Sequence, residues 1–178
     1  MNGTTTTMIT STTTTQKPFH PLRGNAIDIH PNARWEQQGV IVAGGNGQGH
    51  DTDLLHTPMG LFVDDEQTIY VADYSNHRIM EWKRGATNGQ VVAGGNGQGS
   101  RTDQLSSPTD VIVDKETDSL IICDNSNNRV VRWSRRNGTN GETIISNTSC
   151  YSLTMDENGS LYVVDHEKDE VRRYRRGA

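Results

Sequence analysis

The octapeptide Val-Ala-Gly-Gly-Asn-Gly-Gln-Gly occurs twice in this chain, at residues 42–49 and again at residues 92–99. The same offset of 50 residues relates the segments that follow, because Pro58 and Pro108 each begin a run of six residues that leads to an Asp. A third and more divergent copy begins at Cys150. Self-similarity at a period of roughly 20–50 residues is typical of repeat proteins. The fold must therefore be sought in a unit of about fifty residues.

Each unit contains short runs of β-branched and aromatic residues bounded by Gly, Asn or Asp. In the first complete unit the runs begin at Pro58 and at Ile69, a third ends at Trp82, and a fourth spans Gln90–Ala93. Runs of this kind predict β-strands, and the short linkers between them have the length and composition of hairpin turns. Four antiparallel strands in about fifty residues are typical of a β-propeller blade. We therefore predict an all-β chain.

Two hexapeptides make the repeat similar to that of a known family. Asp-Tyr-Ser-Asn-His-Arg at 73–78 and Asp-Asn-Ser-Asn-Asn-Arg at 124–129, each preceded by a strand and by Pro-x-x-h-x-Val-Asp, resemble NHL repeats. The resemblance covers roughly residues 35–178 and implies a propeller that is typically six-bladed. It also implies a protein-binding platform, as beside the ubiquitin-ligase modules of tripartite-motif proteins. Some relatives bind single-stranded RNA, and one is the lyase domain of peptide amidation. The third copy departs from the pattern, because Glu170 takes the place of the arginine.

The repeat boundaries divide the chain into five parts. We predict a disordered Thr-rich tail at residues 1–20, followed by a lead-in at residues 21–43 that contains the outer two strands of a partial blade. Two complete blades are expected at residues 44–93 and 94–146, and a partial third blade at residues 147–178. The outer strands of the lead-in are expected at residues 33–35 and 40–43. About three blades make an open ring, since closure by one chain needs at least about four. We expect a truncated product, a part of a longer propeller, or half of a dimeric one, with open sheet edges available for self-association.

The loops that carry the octapeptide differ between copies at several aligned positions, and three of these change a histidine or the sign of a charge. His50, Asp51 and His56 in the first loop correspond to Ser100, Arg101 and Ser106 in the second, whereas an Asp recurs at 53 and 103. Tracing the strands puts both loops on one face of the propeller. A folding constraint would have fixed these positions, so their variation indicates recognition. The predicted binding face comprises His50, Asp51, Asp53, His56, Arg101 and Asp103.

A second set of polar residues recurs at the end of the second strand and the turn after it. Recurrence indicates a structural role, because every repeat must solve the same folding problem. We expect the Asp and Asn side chains to cap their own turn and the Arg to bridge to a neighbouring blade; a polar binding face is the alternative. The set comprises Asp73, Asn76, Arg78, Asp124, Asn127, Arg129 and Asp165.

These patterns favour a non-enzymatic scaffold that binds a protein or a peptide. RNA binding through two arginine clusters is one alternative, although the formal net charge of −5 counts against it; the clusters are Arg132, Arg135, Arg136 and Arg172, Arg173, Arg175, Arg176. A lyase or hydrolase site in a completed ring is another. The glycine-rich loop lacks Gly-Lys-Ser/Thr, and no histidine recurs at an aligned position. We therefore assign no catalytic residue, no metal ligand and no cofactor.

The cysteines and the tail bear on the compartment. Cys123 ends a second strand and Cys150 begins the first strand of the next blade, so the trace puts both near one face. They form either a disulfide or two buried thiols. The Thr-rich tail and four Asn-x-Ser/Thr triplets favour an extracellular location slightly over a cytoplasmic one. The sequence contains no apolar run long enough to span a membrane.

Overall fold

The computed structural model describes residues 32–177 and shows an all-β arrangement. Its strands form three antiparallel sheets in which sequential strands are neighbours. Because each sheet is one repeat, we name them blade 1 (β1–β4), blade 2 (β5–β8) and blade 3 (β9–β11). Their strands are β1 (Pro58–Val63), β2 (Ile69–Asp73), β3 (Arg78–Trp82) and β4 (Gln90–Gly94); β5 (Pro108–Asp114), β6 (Ser119–Asp124), β7 (Arg129–Ser134) and β8 (Gly141–Ser146); and β9 (Cys150–Met155), β10 (Leu161–Asp165) and β11 (Glu170–Tyr174).

The predicted fold class is confirmed: the blades consist of antiparallel strands and do not close a ring. The Thr-rich tail at residues 1–20 and the first part of the lead-in, through residue 31, lie outside the described residues. The structure differs at residues 33–43, which form no strand where two were predicted. Trp35, Val40 and Ile41 are 79%, 83% and 75% exposed there. A strand needs a hydrogen-bonded neighbour, and the described residues provide none for this segment.

Blade 2 lies between the other two, and its burial reflects that position. All residues of β5 and β6 are buried, because β5 packs against β1 on one side and against β9 on the other. Apolar residues fill the middle of both strands, with Val111, Ile112 and Ile122 among the fully buried residues. Among the described blades, blades 1 and 3 pack mainly against blade 2. The outer strands β4, β8 and β11 are largely exposed in all three blades.

Asp110 joins the inner strands of all three blades. Its carboxylate accepts hydrogen bonds from the Ser152 hydroxyl (2.8 Å) and the Leu153 amide (3.0 Å) of β9. On the other side it lies against Gly60 of β1, where a Cβ atom would come within 2.2 Å of the Asp110 Oδ1. The absence of a side chain at Gly60 therefore gives the carboxylate the room that it needs between β1 and β9.

A disulfide links blade 2 to blade 3. The sulfurs of Cys123 and Cys150 are bonded, and their Cα atoms lie 5.2 Å apart, within the usual range for a disulfide. Both side chains are fully buried. The Thr109 hydroxyl donates to the Cys150 carbonyl oxygen (3.1 Å) beside them. The junction thus combines a covalent bond with interstrand hydrogen bonds.

Candidate binding face

The glycine-rich loops, residues 44–57 and 94–107, follow the same backbone path. In each, the amide of the last glycine donates to a leucine carbonyl, from Gly49 to Leu55 (3.3 Å) and from Gly99 to Leu105 (3.2 Å). An isolated bridge also pairs Gln48 with Leu55, and an identical bridge lies fifty residues on. The loops therefore keep one conformation although several of their side chains differ.

Asp73 is the polar centre of the blade 1 loop. Its buried carboxylate accepts hydrogen bonds from the His56 amide (2.7 Å), the Asn76 side-chain amide (2.8 Å) and the Arg78 Nε (2.7 Å). It forms no side-chain cap on the turn that follows it. The Asp thus connects the end of β2 to the loop before β1, which differs from the predicted capping of its own turn.

Arg78 uses the rest of its guanidinium on the backbone of the same loop. It donates to the carbonyl oxygens of His50 (2.6 Å), Asp51 (3.1 Å) and Leu54 (3.1 Å). The fixed fork of the guanidinium suits several acceptors at once. This arginine holds the loop of its own repeat, whereas we expected a bridge to a neighbouring blade. The reason is positional, because Arg78 begins β3 directly beside that loop.

Blade 2 repeats this arrangement with different side chains in the loop. Arg129 Nε donates to Asp124 (2.7 Å), and the rest of its guanidinium reaches the carbonyl oxygens of Ser100 (3.0 Å), Arg101 (3.3 Å) and Gln104 (3.0 Å). Burial raises the pKa of Asp124, while hydrogen bonds from Asn127, Ser106 and Arg129 act in the opposite direction. We call each Asp–Arg pair with its loop carbonyls an arginine clamp.

Blade 3 lacks both the glycine-rich loop and the arginine clamp. Only residues 147–149 separate β8 from β9, so blade 3 has no glycine-rich loop. Lys168, at the position of Asn76, donates to Asp165 Oδ2 (2.5 Å) and to the Asn147 carbonyl oxygen (2.7 Å). Glu170 stands in place of the clamp arginine and pairs with Arg172 (2.6 Å). The arginine is absent from the one blade that has no long loop to hold.

The side chains of the predicted binding face fall into two groups. In the blade 1 loop, the rings of His50 and His56 lie 6.3 Å apart, Gln48 Nε2 contacts His56 Nε2 (2.6 Å), and Asn46 donates to Asp53 (3.1 Å). The side chain of Asp51 is exposed and has no ion partner within residues 32–177.

In the blade 2 loop the two charges neutralise each other. Arg101 Nε lies 3.0 Å from Asp103 Oδ1, and this hydrogen bond holds the pKa of Asp103 below its usual range. Gln98 donates to the Ser106 hydroxyl (3.0 Å), where the blade 1 loop has the Gln48–His56 contact. The two loops therefore offer different charge on the same backbone.

Most arginines of the two basic clusters are paired with carboxylates. Five of the seven form ion pairs, in which the partners are Arg132–Glu142, Arg135–Asp64, Arg136–Asp118, Arg172–Glu170 and Arg176–Asp114. Arg173 and Arg175 are exposed and form no ion pair in the described part of the chain. Paired guanidinium groups are less available to phosphate, so the structure gives RNA binding little support.

The described residues contain neither a candidate metal site nor a candidate membrane-spanning helix. Residues 32–177 contain no cluster of three or more His, Cys, Asp or Glu side chains placed to hold a metal ion. No helix in that range is long and apolar enough to cross a membrane.

Solved structures are similar to this chain, and two of them show the extent of the likeness. A streptogramin B lyase matches with 11% identity and a TM-score of 0.50, over 75% of this chain and 44% of that one. A protein described as exported, from Bacteroides fragilis, matches with 11% identity and a TM-score of 0.54, over 74% of this chain and 41% of that one. This chain thus spans less than half the length of either structure. No protein-family model and no curated protein matches it. At such identities the likeness shows the fold alone, which is that of β-propeller blades.

Proposed function

We propose that this chain is a non-enzymatic binding module of the NHL type, and that its glycine-rich loops bind a protein or a peptide. The observation that carries the proposal is the pair of arginine clamps, which fix two loops in one conformation through backbone atoms alone. Since the clamps contact carbonyl oxygens, the side chains at these positions are free to vary without loss of the loop structure. Variable side chains on a rigid scaffold are the usual arrangement of a recognition surface.

The charge of the blade 1 loop indicates the kind of segment that binds. Asp51 is exposed with no ion partner in residues 32–177, and the same loop carries the imidazoles of His50 and His56. The corresponding charge in blade 2 is already neutralised by the Arg101–Asp103 pair. We therefore propose that the blade 1 loop binds a segment that contains Lys or Arg, with Asp51 as the acceptor of its charge.

A selection from a random peptide library displayed on phage tests the proposal. Peptides enriched on the wild-type protein should contain basic residues. The triple variant His50→Ser/Asp51→Arg/His56→Ser, which gives blade 1 the side chains of blade 2, should bind them at least about tenfold more weakly. Its thermal stability should stay unchanged, because Arg78 binds only backbone oxygens of this loop.

Arg136→Glu is the matched control, since Arg136 is highly exposed and lies in the turn after β7, away from the glycine-rich loops. It should leave peptide binding unchanged. Failure to enrich any peptide, or equal binding by the triple variant, would refute the assignment of this face. Enriched peptides that are acidic rather than basic would refute the role of Asp51.

We also propose that the protein functions outside the cell. The bonded Cys123–Cys150 pair supports this proposal, because disulfides persist mainly in oxidising compartments. Mass spectrometry of the native protein under non-reducing conditions tests it. Free thiols on both cysteines in protein isolated from its source would contradict an oxidising location.

A further inference from the structure

An arginine joins blade 2 to blade 1, and another joins blade 3 to blade 2. Arg135, which follows β7, pairs with Asp64 at the end of β1 (2.9 Å), and Arg176, which follows β11, pairs with Asp114 at the end of β5 (2.6 Å). Each arginine stands two residues after the last aromatic residue of a third strand. The blade 1–blade 2 and blade 2–blade 3 junctions thus use one interblade ion pair in the same register.

At the first of these junctions the arginine enters a socket made of two residues. Arg135 donates both to Asp64 and to the Tyr70 hydroxyl oxygen (2.9 Å), and its guanidinium lies 5.4 Å from the centre of the Tyr70 ring. Burial raises the pKa of Tyr70 to about 12, so the phenol stays neutral beside the carboxylate. We call such an Asp–Tyr pair an arginine socket.

Blade 3 carries a second arginine socket, and no arginine of the described residues fills it. Asp156 directly follows β9 as Asp64 follows β1, and Tyr162 is the second residue of β10 as Tyr70 is of β2. The Tyr162 hydroxyl donates to Asp156 Oδ2 (3.1 Å). In the described range, residues 32–177, Asp156 pairs with no cation.

Blade 1 carries the complementary group. Arg84 stands two residues after Trp82, the same position as the two interblade arginines, and it is exposed with no carboxylate partner among the described residues. It borders a cavity of about 1040 Å³ on the open side of blade 1. Val63, Ile69 and Trp82 give that cavity an apolar wall, as expected for a sheet face that packs against another sheet.

An unpaired apolar segment borders the same cavity. Residues 40–44 occupy the repeat position of β4, fifty residues before it, yet they form no strand. Ile41 and Val42 line the cavity and are 75% and 58% exposed. In blade 1, β4 pairs with β3. Blade 3 is a sheet of three strands in which β11, the equivalent of β3, has no outer neighbour among the described strands.

We propose that blade 3 of a second copy of this chain docks on the open face of blade 1. Arg84 then enters the Asp156–Tyr162 socket of the other copy, and residues 40–44 pair with its β11 as the fourth strand. Blade 3 meets both requirements of that face, since residues 32–177 supply neither an arginine for its socket nor a fourth strand for its sheet. The contact is head-to-tail, so it closes a ring or extends into a longer assembly according to its rotation.

Sedimentation velocity of the full chain tests the proposal. A dimer or a larger assembly should form as concentration rises, and it should weaken with salt because an ion pair contributes to it. Arg84→Glu should raise the dissociation constant at least about tenfold, and Asp156→Asn should do the same while its side-chain oxygen still accepts the bonds of its turn. Arg136→Glu, with the same change of charge on blade 2, should leave association unchanged.

Hydrogen exchange locates the contact independently of these charges. Amides of residues 40–44 and of β11 should become protected with rising concentration, and Ile41→Pro should abolish that protection, since proline cannot donate to a ladder. A protein that stays monomeric up to roughly 1 mM overturns the proposal. So does assembly that Arg84→Glu leaves unchanged, or that Arg136→Glu weakens equally. Circular dichroism of each variant, expected to match wild type, separates lost association from lost folding.

Discussion

Removal of the Cys123–Cys150 disulfide should destabilise the protein by about 3.5 kcal/mol. The two cysteines are 27 residues apart, and cross-linking a loop of that length removes about 12 cal/mol/K of entropy from the unfolded chain. We expect the variant Cys123→Ala/Cys150→Ala to show this loss in urea unfolding. Its melting temperature should fall by about 7–14 °C for a chain of this size.

The effect should be largest in blade 3, which packs against blade 2 alone among the described blades. Amide exchange of β9–β11 should accelerate by about two to three orders of magnitude in the variant. Wild-type protein treated with a reductant should unfold at the same urea concentration as the variant, which controls for the lost sulfur atoms. A loss below about 1 kcal/mol would refute the reasoning, because it would mean that the unfolded chain already holds these segments together.

Two further predictions concern single residues. Gly60→Ala should lower the free energy of unfolding by about 1–3 kcal/mol, because the new Cβ would lie 2.2 Å from Asp110 Oδ1. Urea unfolding measures this loss. Gly39→Ala is the control and should leave the free energy of unfolding nearly unchanged, because nothing lies within 4 Å of a Cβ there. His77 accepts a hydrogen bond from the Ser107 amide (3.0 Å), and burial lowers its pKa below 6.5 despite the charge of a nearby Asp. As pH falls, the unfolded chain therefore binds a proton at this histidine before the folded protein does. The contribution of His77 to the free energy of unfolding should be full above about pH 6.5 and should decline as pH drops toward the folded-state pKa. His77→Asn introduces the residue of the equivalent position in blade 2 and should reduce this decline when the free energy of unfolding is measured from pH 5 to 8. A decline that the substitution leaves unchanged would refute the role of His77.

The strands were predictable because their residue types and their repeat spacing are visible in the sequence. Runs such as Ile69–Asp73 and Ser119–Asp124 are β-branched, repeat at a fixed period and end in Asp, and each forms the second strand of a blade. The exception is residues 33–43, whose repeat register matches outer strands. A register describes what a segment can pair with, but pairing also needs a neighbour that the described chain does not supply.

The contacts of the candidate site were harder to predict. Arg78 and Arg129 are conspicuous in the sequence, but their partners are backbone carbonyl oxygens, and every residue has one. Only the folded loop selects which carbonyl oxygens they reach. The shortened loop before blade 3, together with Glu170 in place of the arginine, was the available signal that arginine and loop occur together.

The interblade ion pairs had a clearer signal that sequence reasoning missed. Arg84, Arg135 and Arg176 all follow the third-strand aromatic residue by two positions. We grouped the latter two with their neighbours as basic clusters, which hid the common offset. Lys168 was also missed, because it replaces an asparagine rather than the arginine whose absence drew attention.

Blade 3 and the other two described blades contain two versions of the same structural unit. In blades 1 and 2 a long loop occurs together with Asn and Arg around the buried Asp. In blade 3 a short connection occurs together with Lys and Glu. Conversion of the short version to the long one takes an insertion of about ten residues and two point substitutions, and the three strands that all the described blades share stay in place. The length of the loop before each described blade therefore varies while the sheet is kept, so the number of long loops need not follow the number of blades.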